Sequence, residues 1–554
     1  MASLLSTSPG SLPSHEGDGD DNIISRLCGR QWKLNSDEEG QYKFFGPTSS
    51  LHLTESVSSS LLSSGYSHGM LEDATLDGII DFDTHLHLLD IYWNYQHTIL
   101  QVFDKEIFLD GLRTKQGKYF SKALLFAVYA CAARISDRPG LRAMVVPSQD
   151  DPSHNEPYLV SIAAGLVNEE LQRPRVTTIQ ALLLLSVIYC SLSKDTKGWI
   201  STGVACSLAI DFGLHKSGDN LASAQLSNRD LKVRQITYWG CLLFDRFWAK
   251  YLGRPVSLRA EDLELELCRP LGPDATWDTK IAFAWVSLLL VVGNISDALN
   301  RVKCSPETLQ ALDEQLQNWY NNLDAELRYG QSAPPSVILL HMEYYSSKIH
   351  LYRPTANFGA SLATTEAQDR ISRSICIANA ENVASATADY SNIYGDLSTM
   401  SGIGLHMIAT ATTILIANIA EKRSVDTSRQ MRALQTCIRG LCELEKTYIV
   451  ARRVRRIIRL ILSLCHVDVS CAPQAFEQTV RTTGASSRED GLDLFSGLED
   501  PGSLTEDFSF PHNATDMAGM VTETMSFWSE EIPAPSSYRE YDLMFNLGSA
   551  FNYT

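Results

Sequence analysis

All-α is the fold class that the sequence predicts, and three observations predict it. Apolar residues recur at helical spacing from about residue 83 to about residue 464. No strand-like alternation of any length and no internal repeat is present. The middle of the chain carries legible helix starts and stops. The expected organisation is one large multi-helix body over 76–470, flanked by disordered segments at 1–75 and 471–554.

Residues 1–75 are rich in Ser, Gly and Asp and read as a disordered linker. The island GQYKFFGPTSSLHL, Gly40–Leu53, interrupts it and reads as a short aromatic turn around Gly46–Pro47. In His85–His97, Leu88, Leu89, Tyr92, Trp93 and Gln96 fall at helical spacing. His85, His87 and His97 on this segment read as surface histidines, because no further Asp, Glu or His completes a metal-ligand pattern. Tyr119–Arg134 reads as a buried helix. Asp150, Asp151 and Glu156 follow in a stretch broken by Pro147, Pro152 and Pro157, which is read as a solvated loop.

The stretch from Thr177 to Pro270 is the most informative. Ala181–Cys190 is apolar on every face, as in a core helix, and is shorter than the roughly 20 residues that a bilayer span needs. A second helix, Trp199–Phe212, ends at Gly213, where a left-handed cap costs a residue without Cβ least. The third starts at Ser227, which with Asp230 makes a capping box, and ends at Gly253 and Pro255. Further on, Ile281–Ile295 reads as an apolar helix too short to cross a membrane. Leu309, Leu312, Leu316 and Trp319 mark an amphipathic helix, and Leu340–Pro354, Gly402–Ala420 and Gln430–Leu464 complete the body. Arg452, Arg453, Arg455, Arg456 and Arg459 form a basic cluster, read either as the polar face of an amphipathic helix or as a phosphate-binding or nuclear import element.

Composition narrows the function classes. The chain has 554 residues, 44% of them hydrophobic, enough for a sizeable core. Its net charge of −18 leaves no overall footprint for nucleic acid. No secretory signal is read at Met1, and the twelve scattered cysteines read as buried free thiols of a reducing compartment. No phosphate-cradling glycine loop, nucleophile elbow or HExxH motif supports catalysis. Asp245, Arg246 and Arg254 read as a partly buried structural ion pair rather than an active-site cluster. After residue 480 there are 13 acidic against three basic residues, a net of −10 that accounts for over half of the chain's −18. Phe508, Phe510, Phe527, Trp528, Leu543, Met544 and Phe545 punctuate this tail, which reads as an activation segment with those side chains as anchors.

Several phrases carry a family resemblance. They are Asp211–Phe212–Gly213–Leu214–His215, then Trp239, Asp245 and Arg246, then Leu252–Gly253–Arg254–Pro255 followed by Glu261–Asp262–Leu263. The island at Gly40–Leu53, the helix at His85–His97 and the phrase at Leu340–Pro354 fit the same pattern. Over roughly residues 40–466 the chain resembles the regulatory middle region of fungal zinc-cluster transcription factors, nearest to regulators of the nitrate or xylanolytic type. The resemblance implies a helical regulatory domain, nuclear location, homodimerisation and contact with the transcription machinery or co-regulators. It implies no membrane association. In that family two zinc ions bind six cysteines in two C-x2-C-x6-C halves, and this module reads DNA. The present sequence has no C-x2-C, so zinc and DNA contact are expected only through a module lying upstream or supplied by a partner. A co-regulator acting solely by protein contact is the alternative, and a helical enzyme is disfavoured.

Overall fold

The computed structural model describes residues 33–36, 42–45 and, with short interruptions, 80–469. Fifteen α-helices make up the described body. The first three are α1 (Phe82–Tyr92), which continues as a π-helical turn at Trp93–His97, α2 (Lys105–Thr114) and α3 (Lys122–Ile135). After the short α4 (Pro139–Ala143) come α5 (Tyr158–Glu170), α6 (Val176–Ser191) and α7 (Asp195–Asp211). The middle of the body is α8 (Asn228–Leu252), α9 (Trp277–Leu299), α10 (Pro306–Asn321) and α11 (Pro335–Tyr352). It closes with α12 (Ala367–Tyr394), α13 (Gly402–Glu421), α14 (Ser428–Leu444) and α15 (Ile449–Leu464).

Packing follows from which helices have no polar face. In α6, the consecutive Leu182, Leu183, Leu184 and Leu185 point to successive sides of the helix yet all are buried, so the helix must be surrounded. It packs on α3, α5, α7 and α8, and touches α13 and α15 from the C-terminal half. The apolar α13 plays the same part there, among α11, α12, α14 and α15. Between the halves, α8 packs on α9 and α9 on α11, so one continuous apolar core runs from Leu88 to Cys465. The expected start of α8 is observed: Asp230 N donates to Ser227 Oγ and Ser227 N donates to Asp230 Oδ2, each at 3.1 Å.

Three expectations need correction. The antiparallel strands β1 (Lys33–Ser36) and β2 (Tyr42–Phe45) lie where no strand was expected. Each is only four residues long, too short for alternation to register. The helix expected at Ile281–Ile295 runs from Trp277 to Leu299, because its polar first turn and small last turn continue the backbone pattern. Both α9 and α13 are therefore long and apolar enough to cross a bilayer, but 56% and 78% of their apolar windows lie inside the fold. Finally, His97 is buried rather than on the surface, inside an aromatic cage of Tyr92, Trp93 and Phe103. The π-helical turn at Trp93–His97 departs from the regular helix on which the surface reading was based.

Candidate functional site

The phrase at 211–215 is the C-terminal cap of α7 and a docking point for the hairpin. Gly213 has φ of 61°, Leu214 N donates to Ala209 O at 2.8 Å, and Gly213 N donates to Ile210 O at 2.8 Å. This is the double bond pattern of a glycine-terminated helix. Arg234 on α8 donates through Nη2 to the carbonyls of Phe212 (3.1 Å) and Gly213 (2.7 Å). Leu34 and Phe44 pair across the hairpin and cover this cap. Phe44 meets the buried His215 ring edge-on at 4.7 Å, and a Cβ on Gly213 would come within 2.5 Å of Leu34 Cδ1. Leu214 is fully buried beneath the cap, while Asp211 is exposed.

The second phrase folds back on itself. Gly253 takes φ of 64° at the end of α8, and Arg254 N reaches Ala249 O at 3.0 Å. The returning chain is then held by Asp245, whose carboxylate accepts from Ser257 N at 2.9 and 3.0 Å and from Leu258 N at 2.9 Å. Arg246 Nη1 pairs with the same carboxylate at 2.8 Å, and both side chains are 4% exposed. Arg246 lies over Gly293 of α9, where an added Cβ would sit 3.0 Å from its Cγ. Trp239 is buried one face away, near Phe283. The ion pair read from the sequence is thus buried fully, and Arg254 has no part in it: its guanidinium stacks on Trp199 at 4.3 Å. Pro255 is exposed at the turn, and Glu261–Leu263 lie outside the described residues.

The turn that ends α8 also frames a cavity. About 510 Å³ opens between the C-terminal ends of α8 and α11, with Val292, Ile295 and Leu299 of α9 as its apolar wall. A second, smaller cavity of about 90 Å³ shares Lys250, Tyr251 and His406 with it. Lys250 is paired with Glu343 at 2.6 Å, with side chains 6% and 1% exposed. His350 and His406 stack with ring centres 5.6 Å apart and planes 11° from parallel. Burial, with Lys250 and Arg353 nearby, pushes His406 down to about 3 and His350 well below the ordinary histidine value. Burial also lowers Arg353. Arg353 Nη1 and His350 Nε2 are buried and make no hydrogen bond. The sequence marks Leu340–Pro354 as a family phrase without assigning its end a wall of a cavity. Nothing local in the sequence pointed to His406.

The remaining candidates separate. Within the basic cluster Arg453 pairs with Asp195 at 2.9 Å and Arg455 with Glu445, which ties α15 to α7 and to the loop before α15. Arg452 is half-buried, and Arg456 and Arg459 face solvent. Glu156 is an ion-pair partner of Lys194 and Lys197, while Asp150 and Asp151 lie outside the described residues. The tail anchors Phe508, Phe510, Phe527, Trp528, Leu543, Met544 and Phe545 lie outside them too. A zinc cluster does not fit what is described. The eight described cysteines form no disulfide, most are buried on separate helices, and no three His, Cys, Asp or Glu side chains converge among the described residues. Burial pushes the Cys131, Cys376 and Cys437 thiols up to about 12, away from the thiolate form that zinc requires.

The capped central phrases on α7 and α8 fall inside a domain that the comparisons recognise. Residues 89–321 match the fungal specific transcription factor domain. The chain is similar to the nitrogen assimilation transcription factor nirA of Emericella nidulans, 27% identical over 83% of this chain and 54% of nirA. Similarity extends to the nitrogen assimilation transcription factor nit-4 of Neurospora crassa, 27% identical over 69% of this chain and 37% of nit-4. An uncharacterized transcriptional regulatory protein of Schizosaccharomyces pombe is 26% identical over 62% of this chain and 58% of its own length. Residues 89–321 thus carry the fungal specific transcription factor domain, and the relatives to which the chain is similar are named as transcription factors. It spans between about a third and three-fifths of the length of these relatives.

Proposed function

We propose that this protein regulates transcription of pathway genes in a fungal nucleus, through the helical body and the acidic tail. The observation that carries the reading is the domain match over 89–321, whose most specific phrases fall on the capped, cross-tied ends of α7 and α8. Partners of this reading are the transcription machinery or co-regulators, with a second copy of the chain as a further candidate. DNA contact comes from a module outside the described residues or from a partner. A co-regulator that works by protein contact alone is the second version of this reading.

The chain fused to an unrelated DNA-binding domain is expected to change expression of a reporter carrying that domain's site. A fluorescent fusion is expected in the nucleus. A cytoplasmic fusion together with an unchanged reporter would refute the reading. The two versions are separated by gel-shift titration of the purified 554-residue chain. Absence of sequence-selective binding is the expected result, since the net charge of −18 removes the phosphate attraction that supplies most non-specific affinity.

A further inference from the structure

We propose that the cavity between the ends of α8 and α11 is a binding site for a small organic monocarboxylate with an apolar body. Its volume of about 510 Å³ falls in the range of small-ligand sites, about 300–1,000 Å³. Two charged side chains, Lys250 and Arg353, take part in its walls. Lys250 is neutralised by Glu343 at 2.6 Å, which leaves the Arg353 guanidinium as the uncompensated charge. Arg353 sits where Tyr352 ends α11 and Pro354 turns the chain away, so the guanidinium is presented from a fixed helix end. Buried Nη1 of Arg353 and Nε2 of His350 make no hydrogen bond within the protein, although a buried donor left unsatisfied is costly.

A carboxylate answers both groups. Its two oxygens accept from the guanidinium in the planar, bidentate fashion that arginine favours, with the imidazole as a further donor. Burial keeps both stacked histidines neutral, so each brings one N–H without adding positive charge. The other half of the ligand is set by α9. Val292, Ile295 and Leu299 recur at helical spacing along the wall and offer hydrocarbon contact, with Ser296 of the same helix and Asn300 at its end beside them. A dianion or a bare inorganic ion would leave that wall wet, and a cation would face the guanidinium.

The site belongs to the helical body, so it stands or falls separately from the transcriptional reading. The test uses the full purified chain and titration calorimetry with octanoate, hexanoate, octanamide and phosphate as probes. Octanoate is expected to saturate one site, with hexanoate about tenfold weaker for its two missing methylenes. Octanamide and phosphate should bind at least tenfold more weakly than octanoate. Arg353→Gln should weaken octanoate at least tenfold. Leu299→Trp, which fills the apolar end without touching a charge, should do the same and guards against a folding defect in the first variant. Circular dichroism checks that each remains helical. The proposal is overturned by absence of saturable octanoate binding, by equal binding of octanamide or phosphate, or by unchanged binding in a folded variant of either kind.

Discussion

At the scale of single residues, two glycines that look alike in the sequence do different work. Gly213 and Gly253 both hold a left-handed φ, of 61° and 64°. A β-branched residue strains either backbone by about 1–2 kcal/mol. At Gly253 nothing lies within 4 Å of a new Cβ, so backbone strain is the whole cost. At Gly213 the new Cβ collides with Leu34 and presses on Phe44, which also lifts the hairpin. Gly213→Val should therefore lower the denaturant midpoint more than Gly253→Val does, and equal losses would show that the hairpin contributes nothing there. Asp245 is a larger case. Asp245→Ala strips two amides and one buried guanidinium of their acceptor, and breaking such a buried pair costs about 3–5 kcal/mol. Arg254→Ala loses only a stack on Trp199, about 0.5–1 kcal/mol. Burial drives His97 down from 6.5 to about 3, so the unfolded chain binds a proton there before the folded one does. Stability should fall as pH drops from about 6.5 toward about 3, and His97→Gln should flatten part of that slope in pH-dependent denaturation curves.

Among elements, what the sequence displays depends on what each helix buries. The caps of α7 and α8 were legible because Gly213, Ser227 and Gly253 are local signals, and the structure shows each in its expected part. The longest helix, α12, was not marked out. Its buried face is Ser372, Cys376, Ala380, Val383, Ala384 and Thr387, small residues whose spacing is helical but whose hydrophobic contrast is weak. The hairpin was invisible because its stabilisation lies in α7, more than 150 residues away in the chain. The basic cluster was legible as a cluster and not as its two parts. Arg453 binds a carboxylate that is 10% exposed, so Arg453→Ala should cost about 1–3 kcal/mol. Arg456 and Arg459 face solvent, and replacing both with Ala should leave stability within about 0.5 kcal/mol. If these two serve nuclear import, the double variant loses nuclear accumulation while melting like the parent. Retained nuclear location would assign the cluster to folding alone.

For the whole molecule, the all-helical class could be read from periodicity, whereas the cavity could not. Its walls come from α8, α9, α11 and α13, and no window of sequence holds His350, Arg353 and His406 together with Val292. The acidic tail presents the opposite situation, since composition alone carries the reading and the segment lies outside the described residues. Charge of itself does not account for a specific partner, because attraction between exposed charges is screened beyond about 8–10 Å at physiological salt. Docking into a groove needs apolar anchors at fixed spacing. Phe508, Phe510, Phe527, Trp528, Leu543, Met544 and Phe545 each stand close to an acidic residue that favours solubility while they are unbound. Residues 487–554 fused to an unrelated DNA-binding domain should raise reporter expression. Replacing Phe527, Trp528, Leu543 and Phe545 with Ala keeps every charge and should remove most of the effect. Substituting the acidic residues by their amides, with the aromatics kept, should weaken it less steeply. A silent fusion, or an alanine version as active as its parent, would show that the tail does not activate through these side chains.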